Sequence, residues 1–306
     1  MDTLLRAINT PETIRVVAAT STETAREACR RQGIRGAQAM AIGRAVTAGA
    51  LLATLAKSDK ERVRIQIQGH GPIGQLIIDA HGDGRVRACL ATILADDHPA
   101  QTLQKSLRDA VDEDRPSTAA VVGTRGHLTI TRDLGLARPY QGSVDLVNGE
   151  IDDDLEHYLD TSEQLPSVLR TEVVLDQSGE VLRAAGVLVQ GFPGIPPQEL
   201  LGPRVRLQSS LRELLLAHDR SPHELVGLAL GGDEFRAMLE HPVSFHCPCG
   251  PERALSVLSS LGADDLEQLA SEQEQTEVRC NFCGDVTEVD AAALRELASE
   301  LRRVQS

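Results

Sequence analysis

Four of the six cysteines in this chain stand as two tight pairs, Cys247-Pro248-Cys249 and Cys280-Asn281-Phe282-Cys283, with residues 250–279 between them. This arrangement narrows what the C-terminal stretch can fold into more than any other feature. Four thiolates suit the tetrahedral preference of Zn²⁺, and short chelating pairs joined by a longer loop are how small domains supply four sulfurs. The second pair has the common Cys-x-x-Cys spacing. The first has only Pro248 between its sulfurs, which is uncommon in a purely structural zinc ribbon. Pairs this close can also oxidise, and a Cys-x-Cys disulfide closes a very small, strained and easily reduced ring. The same four residues therefore read as a ligand set or as a switch. His246, next to Cys247, could replace one sulfur, but four cysteines already fill the shell. Cys29 and Cys89 have no cysteine or histidine neighbour at ligand spacing and read as small buried apolar residues.

A chain of 306 residues is long enough for one large domain and a small one. With no Trp, two Tyr and four Phe, its core must be built from Leu, Val, Ile and Ala, and stacking platforms for single-stranded nucleic acid are not expected. The net charge of −14 opposes a phosphate backbone, and a four-thiolate zinc centre would add negative charge, so no nucleic-acid partner is expected. No window reaches the roughly 18 apolar residues of a membrane span, and Met1-Asp2-Thr3-Leu4-Leu5-Arg6 does not open a leader segment. The expectation is a cytoplasmic protein with no membrane partner, in a compartment where paired cysteines favour metal binding or redox sensing over structural disulfides.

Periodicity predicts an α+β chain. Thr22 to Gln32 reads as a helix stopped by Gly33, and Ala37 to Lys57 as a longer Ala- and Leu-rich helix. In Val63 to Gln68 the period changes to two, and further strands are expected at Gln75 to Ala80, Val86 to Leu90, His127 to Arg132, Glu172 to Asp176 and Val181 to Gln190. His81-Gly82-Asp83-Gly84 and Gln177-Ser178-Gly179 read as hairpin connections. Gly69-His70-Gly71-Pro72-Ile73-Gly74 matches the dinucleotide fingerprint G-x-G-x-x-G, but a strand follows it where a helix is required, so it reads as a turn between antiparallel strands. Asp152-Asp153-Asp154 reads as a solvated acidic helix start rather than a metal site. Pro193, Pro196, Pro197 and Pro203 mark a boundary. Beyond it come two short amphipathic helices, Val205 to His218 and Pro222 to Leu230, then a helix from Pro251 to Leu261, one opening at Asp264-Asp265, and one from Asp290 to Val304. No nucleophile, base and orienting acid stand out together, and four cysteines leave no open position for a zinc hydrolase, so no enzyme is expected.

The cysteine pattern, taken with Ile67-Gln68-Gly69-His70-Gly71-Pro72-Ile73-Gly74, Pro139-Tyr140-Gln141-Gly142, Ser162-Glu163-Gln164-Leu165-Pro166 and Ala184-Ala185-Gly186-Val187-Leu188-Val189-Gln190, resembles the heat-shock protein 33 family of redox-regulated chaperones over most of residues 1–290. The resemblance implies an N-terminal mixed α/β core domain with antiparallel strands (1–192), a helical linker (193–241) and a small C-terminal zinc-binding, redox-switch domain with a terminal helix (242–306). It also implies an ATP-independent holdase for unfolding client proteins, inactive while reduced and holding one Zn²⁺ per chain, and switched on by oxidants together with unfolding stress. Cys247, Cys249, Cys280 and Cys283 would be both the zinc ligands and the redox-active thiols, pairing as neighbours, and the active form would be a homodimer. Two departures are visible: Arg87-Ala88-Cys89 stands where the family has Arg-Gly-Tyr, and a helix continues past the zinc segment.

Magnitudes make such a switch plausible. Structural zinc contributes on the order of 10 to 16 kcal/mol to folding a small domain. A disulfide closing about fifteen residues returns roughly 3 kcal/mol, and shorter loops return less. Residues from about Pro242 to Asp290 are therefore expected to lose their fold once zinc leaves, and helices packed on them would lose a partner. The competing reading is a zinc-ribbon adaptor whose metal is purely structural.

Overall fold

The first strand, Thr3–Asn9 (β1), shows how the chain builds its layers: Leu4 belongs to one apolar cluster and its neighbour Leu5 to another. Successive side chains of a strand point to opposite faces, so a strand buried on both sides must serve two cores. The computed structural model describes residues 1–55, 61–91, 117–135 and 138–305. They divide into two compact units, Met1–His246 and Cys247–Ser306.

In the first unit, β1 lies in a five-stranded antiparallel sheet of order β10-β1-β2-β9-β8, with β2 at Ile14–Thr20, β8 at Ser167–Leu175, β9 at Val181–Gly191 and β10 at Phe235–Pro242. A second sheet has the order β11-β5-β4-β3-β6-β7, formed by Arg62–Gly69 (β3), Gln75–His81 (β4), Arg85–Ala91 (β5), Gly126–Asp133 (β6), Tyr140–Asp145 (β7) and the two-residue Ser244–Phe245 (β11), the last parallel to β5. The helix Ala37–Ala53 (α2) is buried along nearly its whole circumference and shares one apolar cluster with both sheets. A helix apolar all round belongs inside, and small residues let it approach. A Cβ on Gly43, for example, would meet Val173 Cγ2 at 2.8 Å. The helix stops at Ala53, with Thr54 and Leu55 in a turn, short of the expected end at Lys57, a residue that lies outside the described ones.

The helix Thr22–Gln32 (α1) ends where the sequence places its stop, with Gly33 left-handed at φ 66°. The Gly69–Gly74 run joins antiparallel β3 and β4, as expected of a turn. Its glycines admit a second backbone: the Gly71 N–H donates to Val122 O (2.8 Å) and the Ile73 N–H to Val121 O (3.2 Å), in the short helix Ala119–Val122 (α3). Cys29 and Cys89 are buried, and burial pushes the Cys29 thiol up to about 12.

One expectation needs correction. Asp152, Asp153 and Asp154 do open a helix, Ile151–Thr161 (α4), but the start is not solvated: Asp152 and Asp154 are each 1% exposed. Asp152 accepts from the Thr171 N–H (3.1 Å) and hydroxyl, and Asp154 from the N–H groups of Val147 (2.6 Å) and Asn148 (3.3 Å). The carboxylates satisfy backbone donors of neighbouring elements, a role that composition alone does not reveal.

On the outer face of the second sheet, Asp79 is paired across strands with Arg64 and Arg87. Arg64 grips it with two bonds (2.7 and 2.8 Å) and Arg87 adds two more (3.2 and 2.7 Å). Burial alone would push the Asp79 carboxyl up, but the bonds from Arg64 and Arg87 outweigh it and hold its pKa at about 2. A carboxylate whose pKa is depressed on folding stabilises the fold above its unfolded value, about 3.9, and loses that contribution as pH falls through the folded value. The stability gap between wild type and Asp79→Asn is therefore expected to be about 2 kcal/mol above pH ~5 and to close by pH ~1. Urea titrations across that range measure it, and a gap independent of pH would show that the ion pairs do not set it.

The helices Leu201–Ala217 (α5) and Pro222–Leu230 (α6) cover the other face of the five-stranded sheet. Leu207, Leu211, Leu215, Leu225 and Val226 pack there with Leu5, Val16, Val187 and Val189. The stretch 193–241 is helical only as far as Leu230, after which β10 adds to the edge of β1.

Candidate metal centre

The second unit contains the helices Pro251–Leu258 (α7), Ala263–Glu272 (α8) and Ala291–Gln305 (α9), and a hairpin of Gln275–Arg279 (β12) with Val286–Asp290 (β13). Both cysteine pairs stand in irregular chain. Cys247 and Cys249 precede α7, whose first residue is Pro251, suited by its missing N–H to open a helix. Cys280 and Cys283 occupy the tip of the hairpin. There the Cys280 N–H donates to Asp285 O (2.9 Å), the Gly284 N–H donates to Cys280 O (2.8 Å), and Gly284 takes φ 75°. A side chain is disfavoured at that angle, so glycine makes the tight turn back into β13 possible.

The fold thus gathers four sulfurs that are far apart in sequence. Cys247 Sγ lies 3.6 Å from Cys280 Sγ and Cys249 Sγ lies 3.1 Å from Cys283 Sγ, with all four within 4.8 Å of one another. These distances exceed the roughly 2.05 Å of an S–S bond. They bracket the edge of about 3.8 Å that a tetrahedron of sulfurs has around an ion at about 2.3 Å. The donor set and its spacing fit a thiophilic metal ion. His246 is not part of the cluster, and its N–H is engaged with Val86 O (3.1 Å).

The electrostatics separate two of the thiols. Desolvation raises the Cys280 thiol, but N–H groups of Cys283 and Phe282 and the adjacent sulfurs of Cys283 and Cys247 outweigh it, so its pKa is lowered. Burial pushes the Cys283 thiol up, and the Cys249 sulfur beside it adds to the effect. The cation-free site therefore favours the thiolate form more at Cys280 than at Cys283. A bound cation would displace thiol protons and hold the sulfurs as thiolates.

The model of the family described as Hsp33 protein matches residues 2–290. The chain belongs to the Hsp33 family. Among relatives, the 33 kDa chaperonin of Shouchella clausii (strain KSM-K16) is 33% identical over 293 residues, covering 94% of this chain and 95% of that protein. That of Bacillus cereus (strain G9842) is 32% identical over 285 residues, covering 93% and 94%. These relatives are named chaperonins, not enzymes. The crystal structure of the 33 kDa chaperonin (heat shock protein 33 homolog) of Thermotoga maritima shares the fold, with a TM-score of 0.81 at 24% identity over 99% of both chains. The α+β architecture expected from sequence is thus the Hsp33 fold. The stretch matched by the family model ends at Asp290, immediately before α9. Among the described residues, no helix is long and apolar enough to cross a membrane.

Proposed function

We propose that this chain is a redox-regulated, ATP-independent holdase of the cytoplasm, inactive while Cys247, Cys249, Cys280 and Cys283 hold one Zn²⁺ and activated when those four thiols are oxidised. The observation that carries this reading is the cluster of four sulfurs within 4.8 Å in a member of the Hsp33 family. Bound there, Zn²⁺ would cross-link the loop before α7 to the hairpin tip. Oxidation by a peroxide converts each pair of thiols to a disulfide, Cys247 with Cys249 and Cys280 with Cys283. Each pair of zinc-bound thiolates gives up two electrons as its S–S bond forms, and hydrogen peroxide, taking those electrons and two protons from solvent, is reduced to two waters. The disulfide sulfurs can no longer act as thiolate ligands, and two short-loop disulfides restore less stability than the metal supplied.

The second step is release of the linker. The leucine stripes of α5 and α6 are buried on the five-stranded sheet of the first unit. From α6 to Cys247 the chain is held by β10 on β1 and by β11 on β5. Val243 and Phe245 pack into the main core. Oxidation alone does not remove those contacts, so heat or another unfolding stress must supply the rest, which agrees with a switch needing two inputs. Once free, the helices and the sheet face beneath them offer aliphatic surface to unfolding clients, and the active form dimerises.

The test exposes the reduced, metal-loaded chain to mild peroxide at raised temperature and follows metal release, free thiols and suppression of a reporter enzyme's aggregation. All three should change together. Metal retained through the treatment would instead favour a rigid zinc ribbon. A separate expectation concerns the linker. Leu211→Ala, at a site 1% exposed, should weaken docking by about 2–5 kcal/mol and give the reduced chain part of the holdase activity at lower temperature. Hydrogen exchange over 201–230 reads the docking, and unchanged protection together with unchanged activity would remove α5 from the mechanism.

A further inference from the structure

The C-terminal unit has an apolar core in which no cysteine takes part. Leu266 and Ala270 of α8 meet Leu294 and Ala298 of α9, with Ala254 and Leu258 of α7 and Val289 of β13 completing the cluster, and Leu269, Leu297 and Leu301 are packed against it. The two longer helices run antiparallel, because Arg302 near the end of α9 pairs with Asp264 (2.9 Å) and Glu267 (2.6 Å) at the start of α8, while Arg295 donates to Ala270 O (2.9 Å) in the last turn of α8. α9 also carries its own start signal, since the Ala293 N–H donates to Asp290 Oδ1 (2.7 Å). Helices this short are marginal alone and need an apolar partner, and each of these two has the other. The cysteines stand apart from this arrangement, in the loop 247–250 and at the hairpin tip 280–285.

We propose that α8 and α9 form a metal-independent helical lock, so that the tail opens in two stages: the cysteine-bearing loops melt when the thiols lose their ion, and the α8–α9 pair parts only under additional heat. The idea rests on the reading of Cys247, Cys249, Cys280 and Cys283 as metal ligands, and it narrows the segment whose fold depends on the ion. The lock raises the threshold for complete opening. A chain lacking α9 would open its whole tail once the ion is gone.

The test uses the full-length reduced chain, stripped of metal with a chelator and kept reduced, and reads backbone hydrogen exchange. Amides of 263–272 and 291–303 should remain protected about tenfold or more over an unstructured chain, while 247–250 and 280–285 exchange freely. Loss of protection in all four segments together would overturn the proposal. In a second arm, a chain ending at Asp290 and the variant Leu294→Ser, a site 0% exposed, should still take up one metal ion when reduced, yet lose protection of α8 as soon as the chelator acts. If α8 stays protected in both, α9 is not the lock. If the wild-type chain takes up no metal, the reading of the cysteines fails, whereas the exchange of 263–272 and 291–303 still decides whether the pair stands alone.

Discussion

Replacing Cys280 with serine is expected to cost the reduced chain its metal ion and, with it, the ordered loops around both cysteine pairs. Serine matches cysteine in shape but offers a hydroxyl that does not ionise near neutral pH, so three thiolates would remain where the tetrahedron needs four. Cys280 is the informative position. Desolvation disfavours its charge, but the backbone donors of Cys283 and Phe282, together with the sulfurs of Cys283 and Cys247, more than compensate, so its thiolate is favoured. Loss of an outer-shell partner typically costs 10- to 100-fold in metal affinity, and loss of a ligand should cost more, on the order of 1,000-fold. Competition against a colorimetric chelator measures this, with metal per chain determined on the same sample. Cys29→Ser is the control, because that buried thiol, pushed up to about 12, lies outside the cluster and should leave the metal content unchanged. Cys280→Ser binding one ion as tightly as wild type would remove the four-sulfur site from the account.

The sequence was most legible where one physical rule dominates. Gly33 and Gly231 terminate α1 and α6 in the left-handed conformation that a side chain disfavours, and both stops are visible as single letters. The hairpin at Gly82-Asp83-Gly84 and the four cysteines are legible for the same reason. β1 and β2 escaped because both faces are buried: Leu4-Leu5 and Val16-Val17-Ala18-Ala19 show no polar alternation. β10 escaped for the opposite reason, since Arg236 to Glu240 are exposed throughout and carry helix-forming residues, and only pairing with β1 makes them a strand. β8 was read from Glu172 onward, although it begins at Ser167, because Arg170 and Thr171 interrupt the apolar run. The four clustered cysteines could be named from spacing, but their supports could not: the N–H donors to Cys280 are backbone groups, and the α8–α9 core depends on which helix faces meet. Arg44 is the extreme case. Nothing in an alanine-rich helix announces that its one arginine will meet partners more than a hundred residues away.

Arg44→Met is expected to lower the stability of the first unit by about 3–5 kcal/mol. Arg44 is 0% exposed within α2, between Glu150 (3.2 Å) and Glu172 (3.5 Å), the latter only 2% exposed on its side chain. Removing the cation leaves two poorly hydrated carboxylates near each other. Their other donors include Ser117, Thr118 and the Ala119 N–H for Glu150, and the Val173 N–H (3.2 Å) and Arg212 of α5 (2.8 Å) for Glu172. The load should therefore shift onto Arg212. Arg44 and Arg212 share Glu172, so their substitutions should be non-additive, and a double-mutant cycle with Arg212→Met should give a coupling of about 0.5–3 kcal/mol. Adding Glu172→Gln to Arg44→Met should recover part of the loss, because it removes one of the uncompensated charges. With net stabilities of about 5–15 kcal/mol for such domains, the single change should lower the melting midpoint by roughly 6–20 °C. Chemical denaturation of the reduced, metal-loaded chain reads all four combinations. A loss under about 1 kcal/mol would mean that water reaches the carboxylates and that the network does not tie the linker helix to the core.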